Sequence, residues 1–350
     1  MKIKDPKFYG AVKDYLTIYL PSQKESSPNT VKSYREGLNL FLTYIADSEQ
    51  IRLYQVGFKD MAPEKISGFV SWLAKERGCS GTTINHRIAV IRAFLKYTGL
   101  RFPDLNSYYV SIQQIPFKKV PQDLTVNHFS ESVLEAILNQ PDPRKRTGHR
   151  DLFFLIVLYD TGARNREVLD LHAADFVTTG KSSHVIIHGK GNKVRSVPIM
   201  EKTMEHFNAY IKRFGIDRND HVNPLFFTTI HGHRQPMSDD NVARFLNGYA
   251  KSAKTTCSEV PDKITPHMFR HSRAIHLYRK GVPLVLISEW LGHSNLETTL
   301  IYAYADTEMK RLAIEAATDQ NHPLRKKGSV ADVDQNDRSD DNFRKAYGLI

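Results

Sequence analysis

Between about Asn106 and Leu124 the helical repeat of apolar side chains stops. The stretch SIQQIPFKKVPQDLT (111–125) contains two prolines and the pair Lys118-Lys119, a composition that interrupts helices. The chain is therefore expected to divide into two separately packed blocks, residues 1–105 and 125–317, joined by an extended linker over 106–124. With 350 residues, 41% of them hydrophobic, there is enough apolar surface for two cores.

The first block reads as helical throughout. Residues 5–20 put Phe8, Val12, Tyr15, Leu16 and Tyr19 at helical spacing, and the loop that follows offers Ser27 as an N-cap before Pro28. Val31, Tyr34, Leu38, Phe41, Leu42 and Ile45 mark a helix over 28–46, and Ile66, Val70 and Leu73 a third over 62–77. A fourth, TTINHRIAVIRAFLKYTG, starts near Ser80 and is expected to end at Gly99. Four helices with short connections make a bundle-like unit. Its charge is lopsided: residues 1–120 hold 18 Lys+Arg against 10 Asp+Glu, the larger part of a whole-chain net charge of +11. That excess points to a polyanionic partner. Lys32, Arg35, Arg87, Arg92 and Lys96, interleaved with the apolar positions, and Lys118 and Lys119 beyond them, are candidate contacts to DNA phosphates. Each alone suits a solvated helix face equally well; together they favour DNA.

Two cysteines, Cys79 and Cys257, form neither a disulfide framework nor a zinc-finger spacing, which fits a reducing compartment. The N-terminal MKIKDPKFYG has no apolar h-region, and no run of about eighteen apolar residues occurs. A soluble, cytoplasmic, nucleoid-associated protein without a membrane partner is expected.

Chemistry collects in the second block. HRDLFFLIVLYD (149–160) reads as a buried helix and runs into TGARNREVLDL. There Gly162 marks a break, and Arg164 stands at the mouth of the next helix, where a guanidinium can meet a phosphate. Glu167, one turn on, is placed to orient an arginine, although such a pair also suits an ordinary surface ion pair. HVIIH (184–188) and VRSVPI flank GKGNK, a β-hairpin with Lys190 at its tip. Amphipathic helices are expected at 201–214 and 238–252, and HGH (231–233) between them reads as a loop without a third metal ligand.

The densest stretch runs from Thr265 to Tyr304. Thr265 and Pro266 open a helix that places His267 and Arg270 on one face near its N-terminus, a natural anion site. Gly281 ends that helix, and another runs from Pro283 to Gly292. His293 is held in the turn, and a further helix carries Tyr302 and Tyr304 before Asp306 caps a last one. A metal held by His267, His271, His276 and His293 is the rival local reading. It lacks an HExxH pattern, and the neighbouring arginines would repel a cation, so no metal and no cofactor is expected.

TGARNREVLDL, HGKGNK, PHMFRH, LGHSN and TTLIYAY, in that order, resemble the motifs of the tyrosine recombinases, the phage-integrase family, over residues 121–317. The first block resembles that family's core-binding domain. The resemblance implies a mainly α fold with a small β-sheet: an N-terminal helical, SAM-like core-binding domain and a mixed α/β catalytic domain. It implies Arg164, Lys190, His267, Arg270, His293 and Tyr302 as catalytic residues, with Glu167 in support. Tyr302, nine residues after His293, falls at the nucleophile position, and Tyr304 is the competing candidate. These residue types suit in-line attack on a phosphodiester. Two guanidiniums hold the charge that develops on the non-bridging oxygens. A tyrosine, with an ordinary pKa near 10, must lose its proton as it attacks. His267 is the nearest expected acceptor and His293 a donor to phosphate, while the family implies Lys190 as general acid for the leaving 5′-oxygen. A 3′-phosphotyrosine conserves the bond energy, so resealing needs neither ATP nor metal.

The implied activity is site-specific DNA recombination, by a homo-tetramer on two duplexes carrying recombination sites, through a Holliday junction. An accessory DNA-bending or directionality factor is a further expected partner. Helices that begin almost at Met1 suggest a simple two-domain layout. The polar, charge-balanced tail 318–350, ending in FRKAYGLI, favours a mobile-element integrase, active in integration or transposition, over an Xer-type chromosome-dimer resolvase. The helix expected over 306–317 is the segment to pack on a neighbouring subunit. A type IB topoisomerase-like enzyme, and a DNA-binding architectural protein with a dead site, are the remaining alternatives. The full set of catalytic residue types argues against the last.

Overall fold

The computed structural model describes residues 3–120, 126–180, 182–189, 193–293, 295–305, 311 and 314. Lys190, the tail from Thr318 and, apart from 311 and 314, the helix expected over 306–317 lie outside these residues, as does the side chain of Tyr304. The chain forms two compact units, Met1–Gln122 and Asp123–Ile350.

In the first unit, the Asp5 carboxylate accepts from the Phe8 N–H and starts helix α1 (Pro6–Asp14). The chain then widens into a π-helical stretch, Tyr15–Gln23, which accommodates Pro21. Ser27 caps α2 (Pro28–Ser48) through the Thr30 N–H; α3 (Pro63–Lys75) and α4 (Gly81–Arg101) follow, the latter capped by Ser80 through Thr83. Phe8, Phe41, Ile45, Phe69, Ile91 and Phe94 fill the core.

Two expectations fail here. Helix α4 does not stop at Gly99 but continues to Arg101, and Gly99 is buried because another helix crosses it. A Cβ at Gly99 would lie 3.2 Å from the Asn106 Cα. That second helix, α5 (Asn106–Ile112), occupies the first half of the stretch read as extended linker. Leu105, Tyr108, Tyr109 and Ile112 keep the helical spacing across it, and Ile112 and Ile115 complete the core. From Pro116 to Val120 there is no regular structure, yet the Asn85 amide holds this segment at both the N–H and the carbonyl of Lys118.

The second unit begins with α6 (Glu131–Leu138), capped by Ser130, and α7 (Arg146–Thr161), which Gly162 stops in a left-handed conformation at φ 59°. After the short α8 (Asn165–Leu169) comes a three-stranded antiparallel sheet, β1 (Phe176–Thr179), β2 (Ser182–His188) and β3 (Val194–Ile199), in that order. The expected hairpin is β2–β3, with Val185 opposite Val197 and Ile187 opposite Arg195; β1 extends it on the other edge. Helix α9 (Glu201–Phe214) leads to a strand pair, β4 (Phe227–Ile230) and β5 (His233–Pro236). The expected HGH loop is thus the tip of a hairpin, with His231 and Gly232 both at positive φ. Helices α10 (Asp239–Lys254), α11 (Pro266–Arg279), α12 (Leu284–Leu291) and α13 (Glu297–Ala305) complete the unit.

Helix α11 is the internal strut. Phe269 and Ile275 are buried, and its polar core residues are paired: Ser272 Oγ accepts from the Phe129 N–H, and His276 joins the Phe129 carbonyl to the Tyr159 hydroxyl. This leaves His267, Arg270 and His271 on another side of the helix. Among the described residues no helix is long and apolar enough to cross a membrane.

Candidate active site

Two helix ends build the site. Helices α7 and α12 both terminate in a left-handed glycine, Gly162 and Gly292, and a helix C-terminus carries unpaired carbonyls at its negative pole. Arg270 takes one from each: its Nη1 donates to the Gly162 carbonyl and its Nη2 to the Leu291 carbonyl, both at 2.8 Å. Only 3% of Arg270 is exposed. Burial first, then Arg164, lowers its pKa to about 10, which still leaves it charged near neutrality. The indole N–H of Trp290 donates to the Thr161 carbonyl in the same way.

Arg164 is placed by the other side of the Gly162 turn, as the N-cap of α8. Glu167 accepts from its backbone N–H at 2.9 Å and from its Nη1 at 2.8 Å. The same carboxylate accepts twice from Arg195 of β3, whose Nε also reaches the Trp290 carbonyl. Burial works against the charge on Glu167, but the bonds from Arg195 and Arg164 outweigh it and hold the carboxyl below its ordinary pKa. The side chain of Arg164 remains 42% exposed. It borders an open cleft of about 490 Å³ with Lys193, Arg195, Gly292 and His293. One arginine is thus locked inside while the other reaches into the open.

Tyr302, on α13, is 1% exposed and packs among Ala274, Ile275, Ile287 and Leu291. Burial pushes its phenol up to about 12, against the opposing pull of Arg270 and then Arg164. Its hydroxyl meets Nδ1 of His271 at 3.1 Å. His293, just past α12, pairs through Nδ1 with the buried Thr299 hydroxyl at 2.7 Å. Burial, then Arg270 and Arg164, brings its pKa down to about 4. His267 is more exposed, and desolvation with the same two arginines lowers its pKa as well.

The structure therefore gathers Arg164, Glu167, His267, Arg270, His293 and Tyr302, which lie apart in the sequence. Lys190 lies outside the described residues; next to it in the sequence, the Gly189 N–H donates to the Lys193 carbonyl. Two residues of the cluster were not among the sequence candidates. Arg195 sits on the face of β3 that also buries Val197 and Ile199, and an arginine in that register is a readable signal. His271 carries no signal in the sequence beyond its place in the rival set of four histidines. Among the described residues no group of three or more His, Cys, Asp or Glu is arranged to hold a metal ion.

The DNA-contact candidates of the first unit differ among themselves. Lys32, Arg35, Lys96, Lys118 and Lys119 are exposed. Arg87 is half-buried, with its Nε shielded and unpaired. Arg92 is committed to the fold: it donates to the Ile115 carbonyl and its guanidinium stacks 4.2 Å from the Phe117 ring centre.

The sequence model of the phage integrase family matches residues 127–309, and that of the phage integrase N-terminal SAM-like domain matches residues 12–100. The tyrosine recombinase XerC of Thermodesulfovibrio yellowstonii is 31% identical over 326 residues, covering 89% of this chain and 97% of the relative. Among solved structures, the XerH site-specific recombinase bound to its difH substrate aligns with a TM-score of 0.61 and 23% identity, over 87% of this chain and 84% of its own. The Tn1549 transposon integrase in complex with a circular intermediate DNA aligns with a TM-score of 0.62 and 20% identity, over 90% of this chain and 99% of its own.

Proposed function

This chain belongs to the phage integrase family, the tyrosine recombinases, and from that premise we propose that it cuts and rejoins DNA at specific sites through a 3′-phosphotyrosine on Tyr302. The supporting observation is the pairing of a buried tyrosine with two arginines whose directions are fixed differently. Arg270 is immobilised by two helix-end carbonyls, and Arg164 is steadied by Glu167 while its side chain stays open to the cleft. A scissile phosphate bridging the two would have both non-bridging oxygens held before attack, where fixed donors are most effective. His293 and His267, both electrostatically coupled to this pair, belong with the phosphate. Lys190 protonates the departing 5′-oxygen.

The reaction is proposed to run in a homo-tetramer on two duplexes, through a Holliday junction. The role is that of a mobile-element integrase, in keeping with the fold likeness to a transposon integrase. The 31% identity to XerC favours the second reading, chromosome-dimer resolution. Mapping the DNA that the protein protects separates them, since one site lies at an element end and the other does not.

A nicked suicide duplex tests the chemistry. The Tyr302→Phe protein binds this DNA but forms no covalent adduct, while Tyr304→Phe still does; a persisting adduct in the first overturns the assignment. Lys190→Ala blocks cleavage of ordinary DNA and recovers with a 5′-thio leaving group, which needs no proton. Relaxation of a plasmid without the site would instead favour a topoisomerase.

A further inference from the structure

The Tyr302 hydroxyl has one side-chain partner among the described contacts, and it is His271. The two groups meet at 3.1 Å, with ring centres 5.7 Å apart and nearly edge-on. The expected acceptor, His267, lies a turn earlier on α11, its ring centre 6.3 Å from that of His271. His271 is half-buried and also borders an open cavity of about 530 Å³, shared with Asn127, Lys263, Thr265 and His267. One edge of the imidazole thus touches the reacting oxygen, and the ring is in reach of solvent.

We propose that His271 takes the Tyr302 proton during strand cleavage and gives it back during rejoining. This rests on Tyr302 being the nucleophile. In cleavage, Tyr302 Oη forms a bond to phosphorus as the bond to the 5′-oxygen breaks. The phenolic proton passes to His271 Nδ1, and the 5′-oxygen receives its own proton from Lys190. In rejoining, the 5′-hydroxyl attacks and returns its proton to Lys190, the phosphotyrosine bond breaks, and the His271 imidazolium reprotonates the departing phenolate. Each proton returns to its origin, so no outside acid or base is consumed.

The surroundings of His271 keep it in the neutral form that can accept a proton, at a cost in basicity. Burial first, then His267, Arg270 and His128, brings its pKa down to about 4, so the ring is neutral near pH 7 with a nitrogen free to accept. His267 and Arg270 come from its own helix, His128 from the segment before α6, Tyr302 from α13, and Lys263 from the cavity wall. With the phenol held near 12, a free phenolate does not form ahead of attack. The proton moves as the new O–P bond forms, and the bound phosphate, an anion beside the ring, favours the imidazolium.

The test compares His271→Asn with His271→Ala on the suicide duplex. Asparagine keeps a hydrogen-bond acceptor at the Nδ1 position but cannot take the proton; alanine removes both functions. Cleavage falls by roughly 10²-fold or more in both variants, the size expected for loss of a general base. The deficit narrows as the pH rises, and added imidazole, which fits the neighbouring cavity, restores part of the His271→Ala rate. A His271→Asn protein that cleaves at the parental rate overturns the proposal and leaves His271 as a positioning residue. Flat pH dependence of the deficit, with no response to imidazole, overturns it as well. An adduct that survives Tyr302→Phe would be a different failure, of the nucleophile itself.

Discussion

The candidate DNA contacts of the first unit, Arg87 and Arg92 apart, and the arginines around the site in the second are carried in different ways. In the first, Lys32, Arg35, Lys96, Lys118 and Lys119 stand in solvent around a core of apolar side chains. In the second, Arg195, Arg270 and Arg273 are largely withdrawn from water, and each is bound to carbonyls or carboxylates. Desolvating a guanidinium costs several kcal/mol unless its donors are satisfied, so a chain gains from it only where direction matters more than charge. A phosphate about to be attacked demands direction. A duplex backbone tracked along its length demands mainly charge, and exposed lysines supply that with less loss of stability.

The contrast can be broken in several places. Arg270→Lys removes the fork that links Gly162 to Leu291 and should lower suicide-substrate cleavage by roughly 10²–10³-fold, with duplex binding in a gel shift little changed. Equal losses of binding and cleavage would place Arg270 with the binding surface instead. Glu167→Gln leaves Arg164 and Arg195 without their shared carboxylate and should cost about 3 kcal/mol in urea unfolding. In the first unit, Gly99→Val forces a side chain against Asn106 and should cost roughly 1–3 kcal/mol, whereas an open linker at this point would tolerate it.

Smaller effects follow from protonation and surface charge. His271 and His293 titrate near 4 in the folded chain, below the ordinary value near 6.5, so the unfolded chain binds more protons in between. Stability is full above about pH 6.5 and falls as the pH drops towards 4; Tm should decline over this window, less steeply in His271→Asn. A parallel decline in both would remove His271 from the account. Smallest of all, Lys96→Ala should leave cleavage at saturating DNA unchanged and reduce the salt slope of binding by about 0.9. No change in slope would take Lys96 off the duplex.

Much of the site was legible because catalysis constrains residue type and spacing. His267 and Arg270 share a helix face near its start, and the glycines at 162, 281 and 292 mark real helix ends. Arg195 was hidden in a strand whose alternation looked complete without it, although its register puts it beside Val197 and Ile199. The contact between His271 and Tyr302 joins residues 31 positions apart and depends on how α13 folds back, which no local pattern encodes. In the first unit, helix α5 was obscured by its punctuation. Pro116 and Pro121 after it suggested a linker, while Leu105, Tyr108, Tyr109 and Ile112 kept the helical repeat. Gly99 misled for a related reason: a glycine buried by a crossing helix carries the same letter as one that ends a helix.

The central claim is that the fixed arginine pair serves Tyr302 and no other residue. Trapping the covalent complex on a suicide duplex, digesting both protein and DNA, and fragmenting the nucleotide-bearing peptide by mass spectrometry tests it directly. The nucleotide is expected on Tyr302. A nucleotide on Tyr304, or on any residue outside α13, would contradict it.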